Sequence, residues 1–341
     1  MINSVKSHPV LDLILTRARS KSQPGSRSDG AVLGLAFEGG GMRGITSAGM
    51  GLALVQLGLT DVFDVVYGSS AGAFNGAYFV SRQGAFGITI YYEDINNERF
   101  INLYRPLIGR PVVSLDYIFD VVMTSSKPLD FEAIARSNIP LRVIAANITR
   151  RQAVVFDDFS SRKDLLWKLR ASAAMPYLAG PPVEIDGELY SDASLYEPIP
   201  FKSAISASTC SKCTHVLALR SRPEGVTRDA PSFIQRKILG GSLRKYGAEI
   251  YDDFLNASMR YSDDLAVLAD CTKDPNRVPY LYQVTVPMGT PAVSAFERRR
   301  DTLVEAAAAG MKAMVQALTG TEVHVMELIT PLQQNGKPFT L

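Results

Sequence analysis

Histidine and cysteine are both scarce: the 341 residues hold three of each. Three cysteines cannot make a disulfide framework in a chain of this size, so a reducing compartment is expected. Long apolar runs are missing too, and nothing approaches the roughly 20 residues that a membrane-spanning helix needs. The apolar stretch at residues 10–15 is short, interrupted by Asp12 and followed by Arg17 and Arg19, unlike a secretory signal. Charge of one sign does not dominate, the formal net charge being +2. No global field then favours nucleic acid, and Arg298-Arg299-Arg300 reads as a solvated helix face. These absences predict a cytoplasmic protein without nucleic-acid partners, one that meets a membrane only peripherally.

Hydrophobic residues make up 46% of the chain and charged residues 21%, the balance of a folded globular protein. Val10, Leu11, Ile14, Leu15 and Ala18 share one helical face, which predicts a helix over residues 8–20. Such a helix either docks on the domain or touches anionic lipid through its basic residues. Residues 21–30, rich in Ser and Gly, read as a linker. Buried strands are then expected at 31–37, a continuous apolar run, and at 62–67, 141–146, 215–219 and 280–286. Helical stretches at 45–57, 73–80, 116–123, 163–173, 232–269 and 294–318 lie between or after them. Strands alternating with helices predict a largely parallel sheet covered on both faces. The simplest organisation is an N-terminal helical extension and linker (1–30) followed by one catalytic domain (31–341).

Gly68-Ser69-Ser70-Ala71-Gly72 fits the G-x-S-x-G pattern between a buried strand and a helix. A sharp strand-to-helix turn needs small residues around the serine and projects its hydroxyl above the sheet, at a helix N-terminus. Ser70 holds the central position and Ser69 does not. One strand earlier, Gly39-Gly40-Gly41-Met42-Arg43-Gly44 satisfies the dinucleotide fingerprint G-x-G-x-x-G. That use requires an acidic residue closing the second strand, whereas Asp61 and Asp64 sit at its beginning. Backbone N–H groups freed by consecutive glycines suit a developing oxyanion better, with Arg43 adding charge beside them.

A serine nucleophile needs a proton acceptor. His8 lies in the extension, and His324 falls in an alternating, strand-like run. His215 opens a predicted strand, yet the order Ser70, Asp, His215 is that of α/β-hydrolases. Among carboxylates, Asp186-Gly187 is a hairpin turn signal. Asp192 then ends the second hairpin strand, where it either reaches the serine or caps the next element. Cys210, Cys213, His215 and Cys271 lack the second close pair that a closed zinc site requires. No metal and no cofactor are expected.

The three blocks Glu38-Gly-Gly-Gly-Met-Arg-Gly44, Gly68-Ser-Ser-Ala-Gly72 and the Asp192 segment, with Arg170-Ala-Ser-Ala-Ala-Met-Pro176 ahead of the hairpin, resemble the signature of patatin-like phospholipases. The resemblance covers roughly residues 31–220 and is nearest to bacterial single-domain members. It implies a three-layer α/β/α fold with a mostly parallel central sheet. It further implies calcium-independent hydrolysis of acyl esters of phospholipids or other glycerolipids by a Ser–Asp dyad. Carried over by position, Ser70 is the nucleophile between Gly68 and Gly72, Asp192 is the base, and the loop from Gly39 to Gly44 forms the oxyanion hole. One departure stands out: the family usually continues Asp-Gly, whereas here Ala193 follows Asp192 and would resist a positive φ. Two other classes compete, a Ser–His–Asp esterase of small soluble esters and a non-catalytic lipid-binding regulator.

Overall fold

The computed structural model describes residues 8–206 and 212–320. Its elements are α1 (Pro9–Ser20), β1 (Leu33–Phe37), α2 (Gly44–Gln56), β2 (Val65–Ser69), α3 (Ala71–Val80), α4 (Gly84–Thr89), α5 (Phe131–Ala135), β3 (Leu141–Asn147), β4 (Gln152–Phe156) and α6 (Arg162–Ala173). There follow β5 (Val183–Ile185), β6 (Glu188–Ser191), α7 (Phe201–Ser206), β7 (His215–Leu219), α8 (Phe233–Leu243), α9 (Ala248–Leu255), α10 (Ala257–Lys273), β8 (Tyr280–Val284) and α11 (Arg300–Thr319).

The strands make one sheet in the order β5-β6-β3-β2-β1-β7-β8, with β4 also on β3. Strands β3, β2, β1, β7 and β8 run parallel, and β4, β5 and β6 form the antiparallel margin. Alternation along the strands sorts side chains onto two faces. Leu35, Phe37, Val66, Leu217 and Leu219 join α2, α3 and α11 in one core. Ala36, Val65, Tyr67, Val216 and Leu281 meet α7 and α10 in another. The result is the three-layer α/β/α arrangement expected.

Register explains how the site is assembled. Strand β4 pairs with β3 along Val143–Asn147, so both of its neighbours must occupy the other edge of β3. There β2 pairs as far as Ser69↔Ile144, and β6 continues with Ser191↔Ala146. The chain leaving β2 and the chain leaving β6 therefore meet head to head, which places residues 70 and 192 side by side.

Several expectations need correction. The single helix over 232–269 is broken into α8, a 3₁₀ turn, α9 and α10, with Gly247 at φ 129°. Residues 294–299 are not helical. They form a loop, and α11 begins at Arg300. The alanine-rich α11 packs closely on α2 and also reaches β8 of the sheet. A Cβ at Gly49 would lie 2.2 Å from the Ala307 carbonyl oxygen, and one at Gly310 2.1 Å from that of Thr46. Residues 117–126 form a widened π-helical segment. The N-terminal helix docks: Val10 and Ile14 are buried, and Arg17 binds Asp29, Asp64 and the carbonyls of Val62 and Ala31. Arg17 is thereby withdrawn from any lipid surface. His324 and Cys210 lie outside the described residues.

Candidate active site

Gly68 and Gly72 flank the turn after β2 because nothing larger fits. A Cβ on Gly68 would stand 2.4 Å from the Ala73 Cα, and one on Gly72 2.2 Å from the Phe37 carbonyl oxygen. Ser70 itself takes φ 54° and ψ −124°, a region that costs a non-glycine residue on the order of 1–3 kcal/mol. Two anchors hold it there. The Ser70 N–H donates to the Ser172 hydroxyl at 2.8 Å, and that hydroxyl donates to the Ile144 carbonyl. Ser69 is fully buried and donates to the Glu197 carbonyl at 2.7 Å, so it faces away from the cavity.

The Ser70 hydroxyl donates to Oδ2 of Asp192 at 2.8 Å. The other carboxylate oxygen accepts the Ser194 N–H at 2.8 Å, and the Asp192 N–H donates to the Ala174 carbonyl. Asp192 has φ −51° and opens a 3₁₀ turn over Ala193–Leu195. Ala193 therefore needs no positive φ, and the departure from Asp-Gly costs nothing in geometry. Burial raises the Asp192 carboxyl above the ordinary carboxylate range, against the opposing pull of the Ser194 and Ser70 hydrogen bonds and the Arg228 charge.

No described histidine approaches Ser70. His215 pairs with Leu33 and Tyr280, at the amino ends of parallel strands, whereas Ser70 follows the carboxyl end of β2. The two residues sit on opposite edges of the sheet. His8 accepts from the Val10 N–H at the start of α1 and bonds the Cys271 carbonyl. Cys213 and Cys271, the latter on α10, are buried in the same core.

The glycine loop divides its donors. The N–H groups of Gly39, Met42, Arg43 and Gly44 donate to carbonyls of Pro198, Ala295, Gly40 and the Gly41–Met42 pair, respectively. Those of Gly40 and Gly41 have no acceptor among the described residues, and their φ values of 146° and 61° suit glycine. Ser70, Asp192, Gly40 and Gly41 line one cavity of about 730 Å³, whose other walls include Phe74, Tyr91, Phe100, Leu115, Ile118 and Met123. A larger depression of about 1030 Å³, between α1, α10, β8 and α11, contains neither Ser70 nor Asp192.

The sequence profile of the patatin-like phospholipases matches residues 35–205, half of the chain. The chain belongs to this family. It is 27% identical over 173 residues to the uncharacterized protein YjjU of Escherichia coli, covering 50% of this chain and 48% of that one. It is also 27% identical over 236 residues to uncharacterized NTE family proteins of Mycobacterium bovis and Mycobacterium tuberculosis, covering 68% of this chain and 59% of each. The chain thus spans about half to three-fifths of the length of these relatives. Among solved structures it is similar to VipD from Legionella pneumophila, with 12% identity, a TM-score of 0.42, and 86% and 68% of the two chains covered.

Around the family's core stands a charge cluster that the motifs did not announce. Glu38, fully buried before the glycine loop, accepts from Arg220 and Arg222 at 3.1 Å each, and from the Tyr261 hydroxyl and the Ser221 N–H at 2.6 Å. Burial alone would raise its carboxyl, but the two guanidiniums outweigh that and hold it below the ordinary range. The Ser221 hydroxyl donates to the Gly39 carbonyl at 2.7 Å, tying the cluster to the loop. Arg43, Arg222 and Arg228 line the cavity beside Ser70. Arg43 Nε is buried without a hydrogen-bond partner among the described residues. Burial and the nearby Arg222 push its guanidinium down to about 10, still protonated at neutral pH. Arg228 donates to the Ser194 carbonyl and is likewise lowered by burial and Arg222.

Proposed function

We propose that the chain is a serine acyl hydrolase of glycerolipids, with Ser70 as nucleophile and Asp192 as its general base. The observation that carries this is the 2.8 Å hydrogen bond from the Ser70 hydroxyl, at a strained turn, to a buried carboxylate that no histidine separates from it. Ser70 Oγ attacks the acyl carbonyl while Asp192 takes its proton. The Gly40 and Gly41 N–H groups receive the oxyanion. Collapse expels the alcohol, which takes the proton back from Asp192 and leaves an acyl-serine. Asp192 then deprotonates water, which releases the fatty acid and restores Ser70. No step calls for a metal ion or cofactor.

The unpartnered Arg43, with Arg222 and Arg228 beside it, favours substrates that carry an anionic phosphate near the scissile ester over neutral acylglycerols. Residues 31–341 act as the catalytic unit in this reading, with residues 1–30 as a docked extension. A fluorophosphonate probe with peptide mapping tests the proposal. Labelling at Ser70, lost together with ester hydrolysis in a folded Ser70→Ala protein, is the expected result. A protein that binds lipid but neither labels nor hydrolyses would instead be a non-catalytic lipid binder.

A further inference from the structure

The chain between Phe100 and Val113 leaves the cavity wall and returns to it. Its stem is closed by the antiparallel bridge Ile101↔Val113, by Asn102 N–H donating to the Val112 carbonyl and by Ser114 N–H donating to that of Phe100, both at 2.9 Å. The tip is a 3₁₀ turn over Arg105–Ile108, ended by Gly109 at φ 71°. Arg105 turns inward and donates to the carbonyls of Phe100, Glu98 and Arg99, while the Asn102 side chain accepts the Tyr104 N–H. Arg105 and Asn102 are thus spent on holding the loop's own shape.

What faces outward is apolar. Leu103, Tyr104, Leu107 and Ile108 are 64%, 77%, 83% and 71% exposed, and no other six-residue stretch among the described residues exposes more than one large apolar side chain. Exposed Arg99 and Arg110 flank the tip. Arg298 reaches Glu98 at 3.3 Å, which draws the Arg298–Arg300 run to the foot of the loop. The nearby acids are engaged: Glu98 with Arg298, Asp116 with Arg170 and Glu297 with Arg299. An apolar tip with a basic collar is the pattern of an interfacial anchor on anionic lipid. Four side chains on a protruding tip offer far less than the roughly 800 Å² per partner of a stable protein interface. Phe100 and Val113, at the stem, line the cavity that holds Ser70.

We propose that the loop 101–113 docks the protein on anionic lipid surfaces, with Leu103, Tyr104, Leu107 and Ile108 entering the acyl boundary and Arg99 and Arg110 binding head groups. Docking would set the cavity wall against the bilayer, so its purpose rests on the lipid-hydrolase reading, although the binding itself does not.

The test uses the full chain carrying Ser70→Ala, which removes turnover, in cosedimentation with phosphatidylcholine vesicles with and without phosphatidylglycerol. Binding is expected to the mixed vesicles, at least tenfold weaker for Leu107→Ser/Ile108→Ser, and weakened by salt and by Arg99→Gln/Arg110→Gln. With Ser70 restored, the Leu107→Ser/Ile108→Ser protein should keep its melting temperature and its hydrolysis of a water-soluble short-chain ester. Equal vesicle binding by that variant, no binding by its parent, or a dimer that the same substitutions dissolve would each overturn the proposal. A parent that docks through the loop yet hydrolyses no ester would leave docking intact and remove the hydrolase reading.

Discussion

The Ser172 hydroxyl accepts the Ser70 N–H at 2.8 Å and donates its own hydrogen bond to the Ile144 carbonyl of β3. A residue of α6, 102 positions downstream, thereby fixes the backbone of a turn that no local preference stabilises. Ser172→Ala should leave two buried backbone groups unpaired, at a cost of about 1–3 kcal/mol in stability. The released Ser70 should lose positioning, lowering kcat on the order of 10²-fold with little change in KM. Urea denaturation and steady-state kinetics on one preparation check both parts. Loss of stability with unchanged kcat would make Ser172 merely structural.

Asp192 has a raised carboxyl, and the sign of its effects follows. In the proposed role of base it must be ionised, so kcat/KM should climb with pH through a value above the ordinary aspartate range, with no imidazole required. The folded protein also holds that proton more tightly than the unfolded chain does. Asp192 therefore costs stability as pH rises from the ordinary aspartate range through the raised value. Asp192→Asn should lower turnover by about 10²–10⁴-fold. It should also melt higher than the parent at neutral pH, with the gap closing in acid. A pH series of melting curves beside pH–rate profiles measures both.

Glu38 behaves in the opposite sense, because Arg220 and Arg222 overcome burial and hold its carboxyl low. Its contribution is fully present above the ordinary glutamate range and is lost as pH falls through the depressed folded value. Glu38→Gln leaves the buried Arg220 and the half-buried Arg222 without their carboxylate, and breaking such a buried pair costs about 3–5 kcal/mol. Denaturant midpoints at neutral and acid pH should differ between the two proteins only at the former. Because Glu38 adjoins Gly39, the variant should also lose kcat.

Much of this architecture is legible in local pattern. Largely apolar stretches mark β1, β2, β3 and β7 because strands buried on both faces have no polar alternation to hide them. The hairpin at Asp186-Gly187 is equally plain, since both residues take a positive φ, 51° and 78°. Strand β4 escapes notice because its residues are exposed or half-buried at the antiparallel margin. The helical pattern over 232–269 gives no warning of its breaks, since amphipathic spacing survives a turn at Gly247. Least legible are Ser172 and the Glu38–Arg220–Arg222 cluster. Their partners lie 102 to 184 positions away, where only the sheet's crossovers bring them together.

Arg228 joins the two halves of the functional reading, because it lines the cavity and its charge lowers the neighbouring Asp192 carboxyl. Replacing it by glutamine should then do two separate things. Removing a cation raises Asp192 further, so the acid limb of the kcat/KM profile should move to higher pH. Removing a phosphate partner should reduce the preference for a phospholipid over the matching diacylglycerol by about tenfold, the order of one or two kcal/mol expected for a charged hydrogen bond. The two readouts are independent, since the pH limb is measured on one substrate and the preference at one pH. A shifted limb with unchanged preference would keep Arg228 beside the base and remove it from head-group recognition. A changed preference with a fixed limb would mean that its charge does not reach Asp192, contrary to the placement described.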